Sequence, residues 1–310
     1  MRDKFVETLL GEVKKNPNII LITGDLGFGV LDDFREIYPD NFINAGVAEQ
    51  NMAGIAAGLA FEGKIVFTYS IANFPTMRCY EQIRNDICYH NLNVNIVSVG
   101  GGFSYGSLGM SHHATEDLAV MRCLPNMTML SPSGLWETSE ATRALINKTG
   151  PGFLRLDKSV AIDSPLFDNE KFILGNPRKM TDGSDCTLFV TGGILSEAQK
   201  AQKILMKKGI SIKIINIHTI KPININSIID ECDETKAIVT LEEHTIDGGL
   251  GSILSEIMAD NQIAGKKFLR IGLDKGFSSV VGSQEYLRKY YKMDSESVVK
   301  KIIKLLNIES

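Results

Sequence analysis

The 310-residue chain lacks any apolar run approaching the roughly 18 residues that would suggest a membrane-spanning helix, so none is expected. It also lacks an excess of basic charge. Lys plus Arg number 33 against 37 Asp plus Glu, a formal net charge of −4, which argues against general nucleic-acid binding. Its N-terminus, Met-Arg-Asp-Lys-Phe, lacks the apolar core of a signal peptide, and a cytoplasmic protein is expected. The five cysteines, Cys79, Cys88, Cys123, Cys186 and Cys232, lack metal-ligand spacing; they are expected to be reduced and to serve packing. The Gly-rich stretch from Gly100 lacks the strand–helix spacing of a dinucleotide fingerprint. What remains is 44% hydrophobic and 23% charged, the balance of a soluble globular chain long enough for two domains.

Periodicity predicts an α/β fold: two consecutive three-layer α/β domains with mostly parallel sheets, over 1–160 and 181–310, joined by a linker at 161–180. Phe5, Val6, Leu9, Leu10 and Val13 mark an amphipathic helix over 3–15, stopped by Pro17. Ile19 to Thr23 reads as a strand buried on both faces. It opens into Gly24-Asp-Leu-Gly-Phe-Gly at its carboxyl end, where open α/β sheets place ligands. Further strands are expected near 64–70, 92–99, 186–191, 210–217, 237–241 and 267–271, with helices between them. Pro165, Pro177 and short polar runs mark the linker.

The most informative stretch is Ile-Asn-Ala-Gly-Val-Ala-Glu-Gln-Asn-Met-Ala-Gly-Ile-Ala-Ala-Gly-Leu, residues 43–59. Met52, Ile55, Ala56 and Leu59 recur at helical spacing, and Gly54 and Gly58 would admit a helix or ligand closely. A carboxylate, Glu49, at the mouth of so apolar a helix is costly unless something pairs with it. By residues alone, Glu49 and Gln50 could simply satisfy free amides in the first turn.

The Gly46-Val-Ala-Glu49-Gln stretch resembles the glutamate motif of the thiamine-diphosphate enzymes of the transketolase group. The resemblance implies that Glu49 hydrogen-bonds the cofactor's aminopyrimidine nitrogen. It likewise implies that Phe74 stacks on that ring, although such an aromatic is otherwise ordinary core. Asp25 and Leu26 in the first Gly-rich loop would approach the cofactor, and Ile71 stands where many transketolases have a second aromatic. Arg78 matches an arginine that faces substrate in the synthase branch, and is otherwise an exposed helical charge. His112 takes the histidine place of the Gly-rich loop, which implies contact with the donor's oxygen; His113 is its structural alternative. Arg155 and Lys158 resemble the basic end of the domain that receives a substrate phosphate, or are plain surface cations. Leu108 departs from the family's substrate-contacting Asp, which puts ordinary ketose specificity in doubt.

The Ile-Lys-Pro222 stretch and Glu242-Glu-His…Gly248-Gly-Leu-Gly resemble the C-terminal domain of the same families. The Gly-Asp-Gly…Asn motif that binds Mg²⁺ and the diphosphate is absent. The resemblance therefore implies the small subunit of a split enzyme. A large partner chain would carry Mg²⁺ and the diphosphate in a heterotetramer of two plus two subunits, moving a two-carbon ketol unit from a ketose phosphate to an aldose. A β subunit of a 2-oxo acid dehydrogenase, a pyruvate-decarboxylating synthase and a non-catalytic scaffold are the alternatives.

Overall fold

The structure, a computed structural model, describes residues 1–233, 235–274 and 276–308. Its strands are β1 (Ile19–Thr23), β2 (Phe42–Asn44), β3 (Ile65–Ile71), β4 (Val94–Val99), β5 (Thr128–Leu130) and β6 (Gly152–Leu156). They continue with β7 (Arg178–Thr181), β8 (Cys186–Thr191), β9 (Ile212–Asn216), β10 (Thr219–Lys221), β11 (Ala237–Thr245) and β12 (Lys267–Leu273). Two sheets form, in the orders β10-β5-β6-β4-β3-β1-β2 and β12-β11-β8-β9-β7. Every neighbouring pair is parallel except β10 with β5 and β7 with β9. The α/β class with mostly parallel sheets is thus as expected.

The central strands are buried along their whole length because helices cover both faces, even where polar residues such as Asn95 and Ser98 in β4 or Asn216 in β9 interrupt the apolar ones. Helices Arg2–Val13 and Leu135–Asn147 pack together on one face of the first sheet, and Glu49–Phe61 lies on the other. The two sheets do not own separate cores. Met129 and Phe153 of the first share a cluster with Phe189 and Ile215 of the second.

Several elements differ from the sequence expectation. The short helix Asp32–Ile37 and strands β2, β7 and β10 are too brief to show a period. β10 leaves the second half of the chain and pairs with β5, Thr219 opposite Leu130, so the first sheet is completed by a distant segment. The segment after Met77 is a short 3₁₀ turn, one α turn and a π turn over Ile83–Cys88, rather than one regular helix. Residues 161–180 are tied down: the Asp163 carboxylate accepts the amides of Trp136 and Glu137 at 3.3 and 2.8 Å.

Candidate active site

Parallel neighbours put their carboxyl ends on one edge of a sheet, and the order β6-β4-β3-β1-β2 lines up five loops there. Lys158 follows β6, the Gly100–His113 loop follows β4, and Asn73 to Arg78 follow β3. Asp25 and Leu26 follow β1, and Gly46 to Glu49 follow β2. Residues far apart in sequence thus come together by topology alone.

Glu49 is the first residue of the helix Glu49–Phe61 and is only 5% exposed. With Val47, Ala48, Gln50, Asn51 and Arg78 it lines an open crevice of about 420 Å³. Behind it the chain comes close: a Cβ on Gly24 would sit 3.8 Å from Glu49 Cγ and 3.5 Å from the Gly46 carbonyl. The cation paired with this carboxylate is Arg78, whose Nη1 lies 3.3 and 3.4 Å from its two oxygens. The same guanidinium lies over the Phe74 ring, 4.1 Å from its centroid. Phe74 in turn meets the His112 ring edge-on, centroids 5.3 Å apart. Glu49, Arg78, Phe74 and His112 therefore form one contiguous set.

His112 is half-buried, and its Nδ1 lies 3.0 Å from Ser111 Oγ. Burial first, then the neighbouring His113 and Arg78 charges, hold it below the ordinary imidazole range, so it is neutral at pH 7. His113 is buried instead, with Nε2 3.1 Å from the Gly106 carbonyl and Phe103 against its ring. Leu108, 54% exposed, projects from a 3₁₀ turn of the same loop.

Two asparagines that the sequence does not single out position these groups. Asn44 Oδ1 accepts the amides of Asp25 and Gly46, both at 3.0 Å, and its Nδ2 donates to Asp25 Oδ1 at 3.0 Å. This clamp holds Asp25 in a left-handed conformation (φ 59°) beside Gly46 (φ 73°). Asn73 Nδ2 donates to the His113 carbonyl at 2.8 Å and so ties the Phe74 segment to the histidine loop. The visible signal was a short amide side chain at each strand end, which is too common to single out. Leu26 and Ile71 lie on the same edge and are half-buried; the Leu26 carbonyl accepts Thr23 Oγ1 at 3.0 Å.

The two basic candidates separate. Arg155 does not join the site. Only 1% exposed, it donates from Nε to Asp117 Oδ2 at 2.7 Å and from Nη2 to the carbonyls of Ala114 and Glu243 at 2.9 and 3.0 Å. It sits inside β6, one residue before the strand's end, which points it into the seam between the sheets. Lys158 is exposed, its Nζ 4.1 Å from the Tyr105 ring centroid, and Tyr105 neighbours His112. Among the described residues nothing outside their own helix approaches Gly54 and Gly58; added Cβ atoms there would meet nothing within 4 Å.

Among the described residues no group of three or more His, Cys, Asp or Glu side chains could hold a metal ion, and no helix is long and apolar enough to cross a membrane. All five cysteines are free, four of them buried.

Residues 1–161 match the family described as transketolase, pyrimidine binding domain, and residues 175–298 match transketolase, C-terminal domain. A protein of Methanocaldococcus jannaschii, described as a transketolase C-terminal section, is 39% identical over 313 residues, spanning 100% of this chain and 97% of its own length. One of the subunits of an apulose-4-phosphate transketolase from Phocaeicola vulgatus is 33% identical over 300 residues, covering 96% and 95% of the two chains. A solved structure, described as a split gene transketolase in an inactive β4 tetramer, superposes with a TM-score of 0.87 at 31% identity, covering 100% of this chain and 98% of that one.

Proposed function

The chain belongs to the transketolase family, as a protein of its pyrimidine-binding and C-terminal domains, and from that premise we propose that it is the small subunit of a thiamine-diphosphate-dependent transketolase. It works with a large partner chain, two of each, and passes a two-carbon ketol unit from a ketose phosphate to an aldose. The observation that carries this is the Glu49 carboxylate, buried yet open to a crevice, one flat guanidinium away from the Phe74 ring.

The residues fit the pyrimidine half of the cofactor. A space already filled by a planar hydrogen-bonding group, between a carboxylate and an aromatic face, suits an aminopyrimidine of similar thickness. Glu49 would hold the ring nitrogen, Phe74 its face, and Asp25, Leu26 and Ile71 the surrounding wall. When bound, the cofactor supplies the carbon nucleophile that cleaves the bond beside a ketose carbonyl. Glu49 would hydrogen-bond the ring nitrogen from a largely buried position. His112, with Nδ1 engaged by Ser111, has Nε2 left to exchange a proton with a substrate oxygen. Lys158 attracts the substrate phosphate from the rim. Leu108 removes an acceptor from the sugar site and favours a donor lacking the matching hydroxyl.

Mg²⁺ and the diphosphate belong to the partner in this scheme, since the described residues here offer no cluster for the metal. The uncovered Gly54 and Gly58 face and Val47, 74% exposed, support an interface there. The similar protein described as inactive as a β4 tetramer supports the need for a different partner. Five free cysteines support a cytoplasmic setting. The test is Glu49→Gln and Glu49→Ala, assayed with the large chain on ketose phosphates. Turnover should fall at least about a hundredfold, the scale of a lost acid–base group, with the circular dichroism spectrum unchanged. Wild-type turnover in either variant would refute the proposal.

A further inference from the structure

We propose that Arg78 is a built-in plug: in the chain without its cofactor, its guanidinium occupies the place of the aminopyrimidine ring. This rests on the assignment of Glu49 and Phe74 given above, and it concerns the empty state that the assignment does not address.

A ring bound between Glu49 and Phe74 must offer two things, a nitrogen for the carboxylate and a flat face for the phenyl. Arg78 offers both from one group. Nη1 lies 3.3 and 3.4 Å from the Glu49 oxygens, and the plane's central carbon lies 4.1 Å from the Phe74 centroid. Guanidinium is planar, delocalised and weakly hydrated, which is why it can stack and pair at once where an ammonium cannot. The ring and the guanidinium cannot occupy that space together, so binding has to be preceded or accompanied by release of Arg78.

The plug also answers an electrostatic need. Glu49 is 5% exposed, and an unpaired carboxylate so placed would destabilise the free chain. Arg78, itself half-exposed, satisfies it from the solvent side, and can withdraw to water without leaving its own charge stranded. It lies in the brief 3₁₀ turn Met77–Cys79, which lacks the regular hydrogen bonding of a long helix. A stable but reversible closure follows. Apparent affinity is lowered by the fraction of molecules in which the site is open.

The test uses the full chain without a partner and thiamine itself, which has the rings but no diphosphate, in calorimetric titrations. Arg78→Ala should bind thiamine about tenfold or more tightly than the unaltered chain. Arg78→Lys, with charge but no flat fork, should fall between. Added methylguanidine should compete with thiamine in Arg78→Ala, because it refills the vacated place, and should have little effect on the unaltered chain. Affinity in Arg78→Ala equal to or weaker than that of the unaltered chain, both below detection included, overturns the plug and leaves the Glu49 assignment standing. A gain that survives in the double variant Arg78→Ala/Glu49→Gln overturns the Glu49 assignment instead, and the plug with it. Circular dichroism and melting curves on each variant separate these results from misfolding, and Arg78→Lys retains the ion pair if Arg78→Ala does not fold.

Discussion

Arg155 and Lys158 stand three residues apart in sequence yet answer to different physics. Arg155 lies within its strand and is buried against Asp117, which is 0% exposed and has Arg155 Nε at 2.7 Å. Removing one partner of a fully buried pair strands the other charge. Arg155→Ala should therefore lose about 3–5 kcal/mol of stability, read from urea midpoints. Were Arg155 a phosphate ligand, the same change would raise KM and leave the midpoint near that of the unaltered protein. Lys158→Ala should do the latter, with a midpoint shift within about 0.5 kcal/mol and a several-fold rise in KM for phosphorylated substrates in the assembled enzyme. A Lys158→Ala enzyme with unchanged KM would remove Lys158 from the substrate site. In the sequence the two residues are equivalent cations; Arg155's place inside β6 beside β11, against Lys158's place in the loop beyond the strand, divides them.

Elements show the same mixture of legible and hidden. Strand β1 could be read because a run of four apolar residues and a threonine, ending in a Gly-rich loop, has few other uses in a parallel sheet. The helix from Glu49 was legible from its period and from the abrupt change at Glu49. Strands β2 and β10, three residues each, were not, because their pairing is decided by partners elsewhere in the chain. Asn44, the last residue of β2, was hidden for the same reason. It matters because it joins the loops after β1 and β2 through three hydrogen bonds at 3.0 Å. Asn44→Ala releases both loops at once. Because the clamp is exposed, stability should fall by only about 1–2 kcal/mol, whereas the backbone leading into Glu49 loses its fixed geometry. The expected result is a modest drop in melting temperature with about a tenfold lower kcat/KM in the assembled enzyme. A full loss of folding, or no kinetic effect, would show that the clamp does not position Glu49.

The whole molecule is held together where the chain passes from β9 in the second sheet to β10 in the first, and His218 lies at that crossing. Its carbonyl accepts the Ser131 amide at 2.8 Å, its Nδ1 lies 2.8 Å from Thr219 Oγ1, and its ring stacks on Phe172 with centroids 4.1 Å apart. Burial, followed by the Arg178 charge, pushes its pKa down to about 3. A base whose folded pKa is depressed contributes stability that is complete above the unfolded value of about 6.5 and is lost as pH falls towards 3. His244, lowered to about 4 by burial, acts in the same direction. Asp157 and Glu242 oppose them: burial raises their carboxyls to about 6 and about 7, so each favours the folded state more as pH falls through those values. The two histidines and the two carboxyls thus act in opposite directions, and a single substitution isolates one of them. His218→Gln keeps a polar group at the crossing but cannot ionise. It should be less stable than the unaltered protein at pH 7, and the gap should narrow by about 2 kcal/mol between pH 7 and pH 5, at about 1.4 kcal/mol per pH unit below 6.5. Urea denaturation at the two pH values measures it. A gap independent of pH would mean that His218 is solvated in the folded protein. The crossing would then lie open to water, and the two sheets could separate without disturbing it.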